Sequence, residues 1–253
     1  MIVTFLGTGT SQGVPVIACD CAVCRSMDYR DIRTRSSIHL EVNGISLIVD
    51  TGPDFRQQVL RESIKKLDAI IYTHEHKDHT GGLDDVRSFN FKQKIDMPVF
   101  AEKNVLAQLE GDYNYIFSES KYPGLPRVIK NEIDLIPFKV HGLEIIPIQL
   151  FHHMLPVFGY RVENFTYITD ANRISDEEKE KIAGSEILVI NALQKEPHIS
   201  HFNLMEALAI IKEIKPRKAY LTHISHKLGF HKEVTTELPE NVELAYDGLK
   251  IKI

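Results

Sequence analysis

His74, His76, Asp78 and His79 stand together in Thr-His-Glu-His-Lys-Asp-His at 73–79, directly after the apolar run Ala69-Ile70-Ile71-Tyr72. Imidazole nitrogen and carboxylate oxygen are the donors that divalent zinc, manganese or iron prefer, and a strand end is rigid enough to aim several at one small volume. Gly81-Gly82 follows, a pair that lets backbone approach a bound ion or substrate closely. A His-x-His pair alone reads as a solvated turn; with Asp78 and His79 added, the stretch reads as a metal centre. Three more apolar runs end in a ligand-capable side chain: Asp50 after Leu47-Ile48-Val49, Asp170 after Tyr167-Ile168-Thr169, and His223 after Tyr220-Leu221-Thr222. Each alone reads as a turn residue, but in an architecture whose strand ends converge on one edge all three meet the 74–79 loop.

A second cluster, Cys19-Asp-Cys21-Ala-Val-Cys24, holds all three cysteines. An odd number cannot close a disulfide framework, so thiolate metal binding is the expectation. None of the thiols is isolated beside a general base, which argues against a catalytic cysteine. Gly7, Gly9 and Gly13 match neither the dinucleotide fingerprint nor a phosphate loop and read as a turn beside the site. Arg33 and Arg35 are candidates for positioning a phosphate, with a solvated basic face as the simpler reading.

The elements that must position these residues are mostly short and rich in Ile, Val and Phe. Strand-length runs cover 2–6, 37–42, 45–49, 69–72, 98–101, 143–149, 158–162, 165–168, 187–191, 218–221 and 249–253. Helical spacing covers 54–66, 103–109, 175–183 and 203–214, the last opened by Asn203 as a polar cap. Asn43-Gly44 between two runs predicts a tight hairpin. Strands outnumber helices in mixed order, which predicts two sheets packed face to face with helices outside and a boundary between halves near 130–140. Residues 111–130 lack periodicity and read as a long loop over a site or on the surface.

The 253 residues are 43% hydrophobic, enough for one substantial core, and we expect one domain over 1–253. A net charge of −5 and a pI near 6.2 give no global attraction to nucleic acid. The N-terminal run lacks a basic region and cleavage site, and no apolar run reaches membrane-spanning length; the expectation is a cytoplasmic protein without a membrane partner.

The His-x-His-x-Asp-His stretch, with the later His, Asp and His, resembles the metallo-β-lactamase-fold hydrolases along the whole chain. The resemblance implies an α/β (α+β) fold, a four-layer αββα sandwich of two mixed sheets flanked by helices. It also implies two divalent ions, zinc or manganese: His74, His76 and His153 on the first, Asp78, His79 and His223 on the second, Asp170 bridging. His152 is the alternative to His153, which is preferred for its distance to Phe158-Gly159-Tyr160. Asp50, in Asp-Thr-Gly-Pro, is expected to orient a ligand histidine rather than bind metal.

Cys19-x-Cys21-x-x-Cys24 and Thr222-His223-Ile224-Ser225-His226 are similar to a narrower group, the phosphoribosyl 1,2-cyclic phosphate phosphodiesterases of phosphonate degradation. This implies a structural zinc held by Cys19, Cys21, Cys24 and His226, a set that also closes a tetrahedral shell. It further implies hydrolysis of a small phosphodiester by a two-metal-bound hydroxide, with Asp78 and His201 catalytic. His201 is the general-acid candidate and His198 its competitor. The expected partner is a small phosphorylated substrate, with a homodimer left open. Two other readings stay open: an RNA-processing nuclease of the same superfamily, and a noncatalytic metal-containing accessory protein.

Overall fold

The computed structural model describes residues 1–118 and 122–253. The first half supplies β1 (Ile2–Gly7), β2 (Ser37–Val42), β3 (Ile45–Val49), β4 (Ala69–Ile71), β5 (Met97–Ala101) and β6 (Val128–Glu132). The second supplies β7 (Phe138–Val140), β8 (Leu143–His152), β9 (Leu155–Val162), β10 (Phe165–Tyr167), β11 (Arg173–Ile174), β12 (Ile187–Asn191), β13 (Lys218–Thr222) and β14 (Val242–Leu244), and β15 (Lys250–Lys252) returns to the first sheet beside β1. Among the described residues, one sheet runs β15-β1-β2-β3-β4-β5-β6 and the other β11-β8-β9-β10-β12-β13-β14, with β7 attached to β8. The helices are α1 (Phe55–Arg61), α2 (Lys77–Thr80), α3 (Arg87–Gln93), α4 (Lys103–Asp112), α5 (Asn114–Phe117), α6 (Asp176–Ile182), α7 (Leu204–Ile214) and α8 (His231–Thr235).

Period-two alternation divides the core among these layers, because successive strand side chains face opposite sides. Leu47 and Val49 of β3, with Ile187 and Val189 of β12, fill the space between the sheets. Their neighbours face the helices: Ile48 packs with Phe55, Phe89 and Val105, and Leu188 and Ile190 pack with Ile182, Ala207 and Ile211. Strands covered on both faces explain the near-continuous apolar runs. The result is the expected αββα sandwich, with the change of sheet between Glu132 and Phe138.

Local chemistry sets the boundaries. Asn43 (φ 51°) and Gly44 (φ 82°) make the predicted β2–β3 turn, for which positive φ at both positions is the requirement. Asn203 accepts the Glu206 N–H, and Glu206 reaches back to the Asn203 N–H, a reciprocal capping box that starts α7. The stretch 111–130 departs from expectation: it contains the end of α4, all of α5 and the start of β6, while 119–121 lie outside the described residues. Edge strands β6, β7, β11 and β14 were too short or too polar to carry a pattern.

Behind the cysteine segment lies a buried polar network. Arg33 donates to Thr8 Oγ1 (2.8 Å) and the Ala245 C=O (2.6 Å), and its Nη2 lies 3.3 Å from His231 Nδ1. Asp31 accepts the His231 N–H at 2.7 Å. Burial first, then Arg33 and Arg30, pushes His231 down to about 4. The folded protein therefore keeps this ring neutral where the unfolded chain takes a proton, so its stabilisation is complete above about pH 6.5 and is lost as pH falls toward 4, by at most about 3 kcal/mol. Melting temperature followed from pH 7.5 to 5 should fall less steeply in His231→Gln than in the native protein; parallel slopes contradict this.

Candidate metal centre

Strands β3, β4, β8, β10 and β13 bring the site residues to one edge of the sandwich. β3 and β4 run parallel, as do β10, β12 and β13, so their C-terminal ends open on the same side, the usual place for a site in parallel sheets. Asp50, Asp170 and His223 leave these ends at φ 64°, 54° and 54°. A left-handed non-glycine residue costs on the order of 1 kcal/mol and persists where its surroundings over-determine it. Here the reversal turns each side chain inward, away from the continuing strand direction. At Gly52 an added Cβ would lie 2.1 Å from the Asp78 carbonyl oxygen, so only glycine lets the β3–α1 turn and the ligand loop approach this closely.

Asp170 is the centre of the cluster. Its Oδ2 lies 3.1 Å from His79 Nε2 and 3.0 Å from His223 Nδ1, and its Oδ1 lies 3.3 Å from His201 Nε2. Asp78 Oδ2 is 3.2 Å from His79 Nε2. Three groups of side chains able to hold an ion share this carboxylate: His74–His79–Asp170, His152–Asp170–His201, and Asp78–Asp170–His223. His76 lies beside them, its ring 4.7 Å from that of His74 and 5.1 Å from that of His152.

Oxygen atoms fix the histidines from behind. His79 Nδ1 donates to Asp50 Oδ2 at 2.7 Å, and Asp50 also accepts the Thr73 N–H and hydroxyl, each at 2.8 Å. Thr73 Oγ1, its own hydrogen spent on Asp50, faces His74 Nδ1 at 3.0 Å. Ser36 Oγ lies 3.1 Å from His223 Nδ1, and His152 Nδ1 donates to the Ser200 C=O at 2.9 Å. Asp50 thus sits where the sequence placed it, behind a histidine. What remains are three buried Nε2 atoms: those of His74 and His223 have no hydrogen-bond partner, and that of His79 faces only the carboxylates of Asp170 and Asp78. Each such orphan costs about 1–3 kcal/mol, and imidazole nitrogens held from the far side are the donor set a divalent ion requires. The residues fit a divalent-metal centre.

The electrostatics are consistent with a cation site. Burial holds His74 well below the ordinary imidazole range, in the neutral form that coordinates. Burial alone would raise the Asp170 carboxyl, but His223, His79 and His201 pull it well below the usual range. His79 is driven the other way: burial is outweighed by Asp170, Asp78 and Asp50, which hold it well above its ordinary value.

His153 does not join the cluster; His152 does. β8 ends at His152, whose ring lies 4.6 Å from His201, whereas His153 turns outward at φ 57° and is exposed. Spacing to Phe158-Gly159-Tyr160 could not locate a strand end, and the side chains of adjacent residues point to opposite sides. His201 is buried, with Nδ1 3.0 Å from Ser200 Oγ and 3.1 Å from His198 Nδ1. Burial lowers its pKa against the opposing pull of Asp170. His198 stands one layer further out. Neither arginine is free for phosphate: Arg33 is spent in the buried network, and Arg35 pairs with Asp54 at 3.0 Å and donates to the Ser11 C=O. Ser36 and Thr73 were missed, since a lone hydroxyl in a strand or turn carries no pattern.

At the second cluster, the sulfurs of Cys19, Cys21 and Cys24 lie 3.3, 3.3 and 3.4 Å from His226 Nδ1. A tetrahedral zinc with thiolate and imidazole ligands has S–N edges of about 3.6 Å, and the four ligand atoms, all within 4.8 Å of one another, are grouped closely enough to hold an ion. The Cys24 N–H and His226 lower Cys21 to about 6, whereas burial leads in raising Cys24 to about 11. Cys21→Ser should remove one metal equivalent per chain and lower the melting temperature, with metal content by mass spectrometry as the check; an unchanged inventory contradicts the assignment.

Residues 46–224 match the family model described as the beta-lactamase superfamily domain. The chain superposes on the crystal structure of a new diphosphatase from the PhnP family with TM-score 0.93 and 40% identity, covering 99% of this chain and 96% of that one. An octanoyltransferase of Porphyromonas gingivalis is 39% identical over 97% of this chain and 50% of its own length. A ribonuclease Z of Staphylococcus epidermidis is 29% identical over 64% of this chain and 49% of its own length. The chain spans about half the length of these curated relatives.

Proposed function

The chain belongs to the beta-lactamase superfamily and is closely related to its PhnP family, and from that premise we propose that residues 1–253 act as one metal-dependent hydrolase of small phosphorylated substrates, foremost phosphodiesters. The observation that carries this reading is the set of buried imidazoles and carboxylates gathered around Asp170, with the Nε2 atoms of His74 and His223 left without a hydrogen-bond partner. His74, His76 and His152 would hold one ion and Asp78, His79 and His223 the other, with Asp170 shared by the three ligand groups. Divalent ions bound there would supply Lewis acidity at a phosphoryl oxygen and lower the proton affinity of water. Asp50, Thr73, Ser36 and the Ser200 carbonyl keep the imidazoles from rotating away. His201 delivers a proton to the departing alkoxide from Nε2, while Ser200 Oγ and His198 hold its Nδ1. Asp78 acts as ligand and as a fixed negative charge beside His79.

The kinship with a diphosphatase favours a second reading, cleavage of a phosphoric anhydride by the same groups. A nuclease reading has the ribonuclease Z similarity behind it and the net charge of −5 against it. Among the described residues no helix is long and apolar enough to cross a membrane. The test is turnover of the metal-reconstituted protein on a cyclic sugar phosphate, a linear diester, a nucleoside diphosphate sugar, short RNA and an octanoyl thioester. Preference for the cyclic or linear diester supports the first reading, and preference for the diphosphate the second. Preference for RNA or the thioester, or inertness on all five, overturns both.

A further inference from the structure

Two residues beyond Asp170, the side chain of Asn172 joins the two loops that face each other across that carboxylate. Its Oδ1 accepts the His153 N–H at 2.9 Å, and its Nδ2 donates to the Ile199 C=O at 2.8 Å. Both partners are backbone groups of fixed polarity, so the amide fits one way round. The Asn172 N–H donates to the Phe151 C=O at 2.9 Å, which pins this residue to the end of β8. A second strap runs beside it, from His152 Nδ1 to the Ser200 C=O at 2.9 Å. The two loops carry His152 and His201, whose rings are 4.6 Å apart. His153, at φ 57°, holds its conformation against its own preference, and the bond to Asn172 is what fixes its N–H. Asparagine places an acceptor and a donor on one short planar group; aspartate keeps only the acceptor, and alanine neither.

We infer that Asn172 is a positioning residue for the hydrolysis proposed above, its acceptor half setting His152 toward the metals and its donor half setting the 198–201 loop so that His201 faces the substrate. The inference rests on the roles given there to His152 and His201. Asn172 is half-buried and both backbone partners lie on exposed residues, so water replaces the lost bonds and the variants fold.

The experiment compares the full-length native protein with Asn172→Ala and Asn172→Asp. Active-site metal affinity is measured by competition with a chelator, kcat and KM on bis(p-nitrophenyl) phosphate, and melting temperature alongside. In Asn172→Ala, metal binding weakens about 10–100-fold and kcat at metal saturation falls by a similar factor. In Asn172→Asp, metal affinity stays within about threefold of native while kcat falls about tenfold at unchanged KM. Native metal affinity and native kcat in both variants, with only the melting temperature lowered, overturn the inference. Equal loss of affinity in both overturns the division between the two halves. A native protein inert on the diester counts against the proposed reaction alone; the inference is then decided by the metal affinity of Asn172→Ala.

Discussion

Asp170→Ala loses both active-site ions and retains below about one thousandth of native turnover, the scale on which removal of preorganised charge stabilisation is felt. Asp170 is the residue shared by all three ligand groups at the sheet edge. Its two oxygens face His79, His223 and His201 within 3.3 Å. Without the carboxylate, the histidines that it holds together face one another with no anion between them, and neither ion keeps a complete set of donors. The cysteine cluster is built from a different segment and His226, so its metal stays. Metal analysis should fall from about three to about one equivalent per chain. A variant that keeps three metals, or one that turns over at more than a tenth of the native rate, contradicts the bridging role.

His201→Ala lowers kcat by about 10²–10⁴-fold, the usual contribution of a positioned proton donor, with KM and metal content unchanged. The geometry makes this a sharp test, because His201 also lies in a group with His152 and Asp170 that is able to hold an ion. A ligand role predicts loss of metal before any loss of turnover per metal. A proton-donor role predicts the reverse, and it predicts that a substrate with a good leaving group, such as a nitrophenolate, suffers much less than an alkyl diester. Loss of metal in this variant moves His201 into the coordination shell and leaves His198, 3.1 Å behind it, too far out to take over proton delivery.

Much of the site was legible because its residues cluster in sequence or end apolar runs. His74 to His79 needed only a strand before them, and Asp50, Asp170 and His223 needed only that parallel strands end together. The cysteines were legible for the same reason, being three within six residues. What could not be read was conformation at single residues. The positive φ angles of Asp50, Asp170, His223 and His153 leave no trace in residue type, and the last of these decides whether His152 or His153 faces inward. Long-range contacts were equally hidden: Ser36 meets His223, and Arg33 meets His231, across most of the chain. Arg33 shows the cost of reading charge alone, since a guanidinium that suited a phosphate on paper is buried against Thr8 and the Ala245 carbonyl. Among the strands, those buried on both faces were clear, whereas β6 alternates little and exposes Ile129.

The most direct test of the central claim is a metal titration. Chelator-stripped protein is given manganese or zinc in steps while hydrolysis of bis(p-nitrophenyl) phosphate is followed, with bound metal measured at each step. Turnover should be absent at the start and should rise to a plateau once two ions are bound beyond the one at the cysteine cluster. Full turnover in the stripped protein, or a fully loaded protein with no turnover on this or any other phosphoryl substrate, contradicts the account.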